Sequence, residues 1–180
     1  AGHSSVGKSA MWTTIAMALA YRGRKILIIS NEQKKKVFQD GFLVFILYKY
    51  FRYYDITKKK IRNASLSDKD KEMRKKAQEY WRKNYKDKIK FISIADADMK
   101  LVKKKIRENV LSYGFDTVIY DTMKLDFDDT NNNQTWVSLI KDSREFDKIA
   151  KKYNIIMLAS LQLAMNSKGK LFLDESELAM

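Results

Sequence analysis

The chain has 180 residues, of which 45% are apolar and 12% aromatic, and its formal net charge is +14. This length and apolar content allow one domain with a sizeable core and exclude a disordered chain, while the lack of cysteine and the single histidine exclude disulfides and zinc sites. The positive charge suits a polyanion such as DNA, RNA or a nucleotide, although solvated helix faces would carry many of these lysines in any protein.

A phosphate-binding motif opens the chain. Residues 2–9 read GHSSVGKS and match the P-loop pattern G-x-x-x-x-G-K-S at every defined position. The loop and the helix that follows it, predicted over residues 10–21, direct N–H groups at phosphate oxygens. Lys8 would reach the β- and γ-phosphates, and the Ser9 hydroxyl would bind Mg²⁺. The predicted nucleotide-binding residues are Gly2, Ser4, Ser5, Val6, Gly7, Lys8, Ser9 and Ala10. The alternative is a glycine-containing turn that opens a helix by chance.

The position of the P-loop predicts that the chain is a fragment. A P-loop normally follows a buried strand, and no residue precedes Ala1. We therefore expect the first strand of the sheet, a central one, to be absent from the chain.

A buried strand and an acidic residue follow the first predicted helix. Gly23 marks the end of that helix, and KILIIS at residues 25–30 is typical of a buried parallel strand because it is short, apolar and rich in β-branched residues. Glu32 comes next, where a carboxylate could polarise a water against the γ-phosphate as a general base. A glutamate favoured by a helix N-terminus explains the same residue, and the pattern alone does not decide between the two.

Residues 33–54 have a helical pattern with one apolar and aromatic face. That face consists of Val37, Phe38, Phe42, Phe45, Ile46 and Tyr50. We expect it to form core or a subunit contact, with a base-stacking platform as the less favoured alternative. The longest apolar run, residues 42–48, is far too short to span a bilayer. With no visible signal peptide, we expect a cytoplasmic protein without a membrane partner.

The middle of the chain is highly charged and contains two further helices. Ser67 can cap a helix that runs to about Tyr85, because Asp68 and Asp70 suit its positive N-terminal end. Residues 88–94 (KIKFISI) predict a strand. Residues 98–113 predict an amphipathic helix that Gly114 stops.

Two more strands carry polar residues at their ends. The strand at residues 117–120 delivers Asp121, a carboxylate in the Walker B position that would hold Mg²⁺ through water. Asn131, Asn132 and Asn133 predict a polar loop, and residues 134–153 a helix with an apolar side. The residues of that side are Trp136, Val137, Ile140, Phe146 and Ile149.

A final strand at residues 155–160 leads to Gln162. The amide of this residue could sense the γ-phosphate, although the pattern by itself favours an ordinary surface glutamine. The alternation of strands and helices along the chain predicts an α/β fold with a mainly parallel sheet, whose ligands bind at the carboxyl ends of the strands.

Taken together, these segments resemble the C-terminal RecA-like ATPase domain of the DnaB-type replicative helicases over nearly the whole chain. The segments that carry the resemblance are AGHSSVGKSA, SNEQ, ITKKKIRNASLSDKDKE, FDTVIYDTMKL, KIAKKYNIIMLASLQL and FLDESELAM. The P-loop is shared by many families, whereas Glu32, the Leu66-Ser67-Asp68 segment and Gln162-Leu163 in this order are more particular. The resemblance implies one RecA-like P-loop NTPase domain over residues 1–180, incomplete at both ends.

The resemblance also implies a function and partners. The full protein would be a ring hexamer that binds ATP and Mg²⁺ between subunits and moves along single-stranded DNA, with primase or a helicase loader as further partners. Lys8, Glu32 and Gln162 would be catalytic, and Ser9 and Asp121 would hold the metal. A bacterial or phage-infected cell would be its setting, and the composition rich in lysine and asparagine suits a phage.

The chain departs from the family pattern in its DNA-facing segments. The family usually has Asn-Arg after the glutamine-leucine pair, where this chain has Ala164-Met165. Three aspartates, Asp126, Asp128 and Asp129, follow the Walker B strand and would repel phosphate. The expected DNA contacts are therefore Asn131, Asn132, Asn133, Lys168 and Lys170, and an arginine finger would lie beyond Met180.

Three functions remain open on the sequence. The first is a DNA helicase motor that hydrolyses ATP to unwind duplex DNA in replication. The second is a RecA-like ATPase that does not unwind DNA, as in recombinase-like or clock-protein-like relatives. The third is a P-loop assembly module that binds nucleotide without hydrolysing it.

Overall fold

The computed structural model describes residues 7–94, 99–123 and 132–161, without the side chains of 132–136 and 138. Helices and strands alternate along this part of the chain. The elements are α1 (Lys8–Tyr21), β1 (Ile26–Ser30), α2 (Lys35–Tyr50), α3 (Lys58–Arg62), α4 (Asp68–Asn84), β2 (Ile89–Ser93), α5 (Met99–Tyr113), β3 (Thr117–Met123), α6 (Asn132–Tyr153) and β4 (Ile156–Leu161).

The strands form one four-stranded sheet in the order β2-β1-β3-β4. All three pairings are parallel, and the register aligns Ser30 at the end of β1 with Ser93 of β2 and with Asp121 of β3. The predicted α/β fold with a parallel sheet is confirmed. Because every strand runs in the same direction, all the carboxyl ends meet at one edge, which is where ligands bind in such folds.

Helices cover both faces of the sheet, and the alternation of side chains along the strands assigns them to two cores. Ile26 and Ile28 pack with residues of α1, α2 and α4, whereas Leu27 and Ile29 pack with residues of α5 and α6. The centre of β1 is buried on both faces, as the apolar run KILIIS predicts.

The aromatic face of α2 lies in the first core. Phe38, Phe42 and Ile46 are buried, and the Phe42 ring stacks on Trp81 of α4 with centroids 4.7 Å apart. The expectation of a core role is confirmed. The burial of these rings leaves little surface for stacking bases.

Several boundaries differ from the sequence prediction for reasons of tertiary contact. Helix α2 ends at Tyr50 rather than near residue 54, because Arg52 takes a positive φ of 52° and the Tyr53 hydroxyl bonds to Asp70 Oδ1 at 2.6 Å. The short helix α3 was not predicted, since Ile61 is its one buried residue and a single turn has no periodicity.

The prediction of a loop is wrong for Asn132 and Asn133, which form the first turn of α6. The predicted apolar side of α6 is confirmed for Phe146 and Ile149 and wrong for Val137 and Ile140, which are exposed. Leu139 is buried on that helix instead. Nothing in the described part of the chain is both long and apolar enough to form a membrane-spanning helix.

Candidate nucleotide site

The described part of the P-loop has the backbone that an anion-binding turn requires. Gly7 adopts a φ of +91°, a left-handed conformation that side chains other than glycine rarely take, and it forms the N-cap of α1. Its carbonyl accepts hydrogen bonds from the amides of Ala10 and Met11 at 2.9 and 3.0 Å, so the helix begins sharply at Lys8. The positive end of the α1 dipole therefore lies at the Gly7-Lys8 step.

The first turn of α1 presents the predicted phosphate and metal residues. Lys8 and Ser9 are partly exposed, and Ala10 is exposed. The Thr13 hydroxyl donates to the Ser9 carbonyl at 2.7 Å within the same helix. Gly2, Ser4, Ser5 and Val6 lie outside the described residues.

The Walker B aspartate lies inside a strand rather than at its end. We predicted that the strand would stop at Tyr120, but β3 continues to Met123, and the Asp121–Thr122 peptide bond is cis. The extension is held from both sides: the Asp121 carbonyl accepts from the Asn31 amide at 3.0 Å, and the Thr122 hydroxyl donates to the Ser160 carbonyl at 2.9 Å.

The carboxylate of Asp121 is almost fully buried. It is 1% exposed, and the Ser160 hydroxyl donates to its Oδ1 at 3.0 Å. Burial raises the pKa of Asp121 above its ordinary value, and the charge of Glu32 raises it further. The hydrogen bond from Ser160, the charge of Lys8 and the indole N–H of Trp12 act in the opposite direction and lower this pKa.

Three of the predicted site residues lie near one another. Lys8 on α1, Glu32 after β1 and Asp121 on β3 are close enough for the charges of the first two to change the pKa of the third. The three were predicted from separate stretches of sequence. They meet because β1 and β3 are neighbours and α1 begins beside their carboxyl ends.

The second oxygen of Asp121 fits a role in holding a cation. Oδ2 is buried and makes no hydrogen bond of good geometry among the described residues, and the Trp12 indole N–H, although near enough to lower the pKa of Asp121, makes none either. Buried carboxylate oxygens are normally bonded, so an unbonded one indicates a ligand from outside the described residues. Oxygen ligands of this kind suit Mg²⁺, which keeps most of its waters and needs few protein ligands. Within the described ranges no group of three or more acidic, histidine or cysteine side chains is placed so that it could hold a metal ion.

A tight turn carries Glu32. The Ser30 side-chain oxygen accepts from the Gln33 amide at 3.0 Å, and the Glu32 side chain between them is exposed. Sequence reasoning missed Asn31, Ser160 and Trp12 as parts of this site. The one signal in the sequence was a serine at the end of two of the predicted apolar strands, Ser30 and Ser160.

The remaining predicted residues are not placed by the structure. Gln162, Asn131, Lys168 and Lys170 lie outside the described residues, as do the side chains of Asn132 and Asn133. Their predicted roles therefore stay predictions.

Comparisons with known proteins agree with this geometry. The family model of the DnaB-like helicase C-terminal domain matches residues 1–171. A solved ATPase domain is similar in structure, with a TM-score of 0.76 and 19% identity, over 98% of this chain and 61% of that one. A DnaB-like replicative helicase, solved to show its interactions with primase, has a TM-score of 0.75 and 19% identity over 98% of this chain and 41% of its own. The chain thus spans less than two thirds of either relative. No curated protein sequence matches it.

Proposed function

Since the chain belongs to the DnaB-like helicase C-terminal domain family, we propose that it hydrolyses ATP to move along single-stranded DNA and unwind duplex DNA in replication. Residues 1–180 would form one RecA-like ATPase domain of this motor. The observation that supports the proposal is the pairing of β1 with β3, which sets Ser30 beside Asp121 and brings the turn that carries Glu32 to the Walker B aspartate.

Each residue of the site has a role in the proposed reaction. Lys8 holds the β- and γ-phosphates together with the loop that Gly2 and Gly7 shape. Ser9 and Asp121 would hold the metal, Ser9 with its hydroxyl and Asp121 with its carboxylate, whose Oδ2 has no hydrogen bond among the described residues. Bound Mg²⁺ supplies positive charge against the charge that develops on the phosphates. Ser4, Ser5 and Val6 of the P-loop, with Ala10 in the first turn of α1, complete the nucleotide cradle.

Glu32 is the proposed general base. Its side chain is exposed at the sheet edge beside Asp121, where it can take a proton from a water that attacks the γ-phosphorus. Gln162, one residue beyond the end of β4, is the proposed sensor of the γ-phosphate. A glutamine bonded to that phosphate would lose its partner on hydrolysis and pass this change to the residues that follow it.

The partners are proposed from the family and from charge. We propose that Asn131, Asn132, Asn133, Lys168 and Lys170 contact single-stranded DNA. The full-length protein would act as a ring hexamer in a bacterial or phage-infected cell. A structural relative was solved for its interactions with primase, which supports primase as a partner of this protein. A helicase loader is a further candidate partner.

The proposal is tested by unwinding of forked DNA by the full-length protein. We expect unwinding that requires ATP and Mg²⁺ and is abolished by Lys8→Ala. Lys25→Ala is a matched control, because Lys25 bonds the Tyr113 carbonyl at 3.1 Å, at the opposite ends of the strands from the site. ATP hydrolysis without unwinding would indicate a RecA-like ATPase of another kind, and nucleotide binding without hydrolysis would indicate an assembly module.

A further inference from the structure

Asn31 ties the turn that carries Glu32 to the strand that carries Asp121. Its backbone amide donates to the Asp121 carbonyl at 3.0 Å. Its side chain donates from Nδ2 to the Thr122 carbonyl at 2.9 Å and accepts at Oδ1 from the Thr122 amide at 2.9 Å. Nδ2 also donates to the Tyr120 hydroxyl at 3.4 Å, so one residue bonds three consecutive residues of β3.

The side chain of Asn31 acts as an extension of the parallel ladder. Strand β1 ends at Ser30, so no backbone group of β1 is left to pair with Thr122. An amide side chain offers one donor and one acceptor in a plane, as a peptide group does. Thr122 is fully buried, and loss of the amide would leave its N–H and C=O groups without these partners, which is costly in a buried position.

The hydrogen bonds of Asn31 connect the segments that carry Glu32 and Asp121. Glu32 directly follows Asn31 in sequence, and Thr122 directly follows Asp121. On the other side of Glu32, the Ser30 hydroxyl oxygen holds the Gln33 amide at 3.0 Å. Hydrogen bonds therefore hold the chain on both sides of Glu32. Those of Asn31 reach Thr122, the residue next to Asp121, which is the proposed metal ligand.

We propose that Asn31 is a positioning residue for ATP hydrolysis, holding Glu32 at a fixed separation from Asp121. This inference rests on the proposed function, in which Glu32 activates the attacking water and Asp121 holds the metal. Asn31 is not part of the P-loop, which is residues 2–9, so its loss leaves nucleotide binding in place. The separation of Glu32 from Asp121 then varies, and small misplacements of a catalytic group reduce turnover strongly.

The test compares substitutions of two asparagines in the full-length protein. Asn31→Ala removes both side-chain bonds to Thr122 and the longer one to the Tyr120 hydroxyl, and Asn31→Ser keeps a polar side chain that is too short to bond both Thr122 groups. Asn84→Ala is the matched control, because Asn84 Nδ2 bonds the Tyr80 carbonyl at 2.9 Å at the far end of α4. The readouts are kcat and KM for ATP and hydrogen exchange of the Thr122 amide.

We expect both Asn31 variants to lower kcat by about tenfold or more, with KM within about twofold of the unmodified protein. Exchange at Thr122 should become faster, and the control should change neither readout. Asn31→Ala should cause no further loss of turnover when added to Glu32→Gln, since it acts through Glu32.

Three results would overturn the inference: a kcat within about twofold of the unmodified protein, a change in KM alone, or an equal loss of kcat in Asn84→Ala. Failure of the proposed function is visible separately, as full hydrolysis by Glu32→Gln or none by the unmodified protein. In that case the exchange of the Thr122 amide still shows whether the bonds from Asn31 form, but a role for Asn31 in catalysis is refuted.

Discussion

Ser160 and Asp121 join strands β4 and β3 through a hydrogen bond of 3.0 Å from the serine hydroxyl to carboxylate Oδ1. Both residues are buried, at 3% and 1% exposure. The bond fixes one oxygen of the carboxylate, and the other has no partner in the described ranges. The fold thus holds a buried charge that its own groups only partly compensate, as sites that bind a cation commonly do.

Replacing that charge should stabilise the protein in the absence of metal. Asp121→Asn keeps an acceptor for the Ser160 hydroxyl. It removes the negative charge of a carboxyl group whose pKa is raised by burial. We expect the melting temperature of the full-length protein in a metal chelator to rise by about 2–4 °C, because an uncompensated buried charge is costly. The same variant should lose Mg²⁺-dependent hydrolysis.

The control for this prediction is Asp87→Asn, which removes an exposed carboxylate in the turn before β2. It should change neither the melting temperature nor hydrolysis. A lower melting temperature for Asp121→Asn would contradict this prediction, because it would show that the carboxylate stabilises the folded protein.

Glu32→Gln should separate binding of ATP from its hydrolysis. The amide keeps the size of the side chain but cannot take a proton, so turnover should fall by about 10²-fold or more. Affinity for ATP should stay within a few-fold, since Lys8 and the P-loop remain intact. Glu79→Gln, an exposed position in α4, is the comparison. Retained turnover in Glu32→Gln would refute the role of Glu32 as general base.

Tyr53 and Asp70 predict a pH-dependent contribution to stability away from the site. The Tyr53 hydroxyl donates to Asp70 Oδ1 at 2.6 Å, and this bond is the main cause that lowers the pKa of Asp70. A carboxyl with a lowered folded pKa stabilises the fold above its unfolded value of 3.8, and this contribution is lost as the pH falls through the folded pKa.

Tyr53→Phe should therefore lower the melting temperature at neutral pH, and the difference from the unmodified protein should shrink as the pH falls below 3.8. Tyr54→Phe is the neighbouring control, since Tyr54 is 57% exposed. A difference between Tyr53→Phe and the unmodified protein that stays constant down to low pH would show that the bond does not depend on ionised Asp70.

Local patterns were enough to predict most of the fold. The apolar run of β1 predicted a buried strand. In the structure its alternate residues pack against helices on the two faces of the sheet. Ser67 predicted the start of α4, where its side chain and that of Asp70 form a capping box. The end of α2 and the length of β3 depend on distant partners, Asp70 and Asn31, so no local pattern could reveal them.

The sequence predicts the reactive residues of the candidate site but not the residues that hold them in place. Lys8, Glu32 and Asp121 stand out because each follows a recognisable turn or strand. Asn31, Ser160 and Trp12 act through contacts between neighbouring elements, and only the order of the strands brings those elements together. Their residue types are common, so their roles become visible only with the structure.

We propose above all that this chain is the motor of a DNA helicase. The most direct test is ATP hydrolysis by the full-length protein, with and without single-stranded DNA, beside the Lys8→Ala variant. We expect turnover that single-stranded DNA stimulates and that Lys8→Ala abolishes. Turnover that is indifferent to DNA would contradict it and point to a RecA-like ATPase that does not unwind DNA.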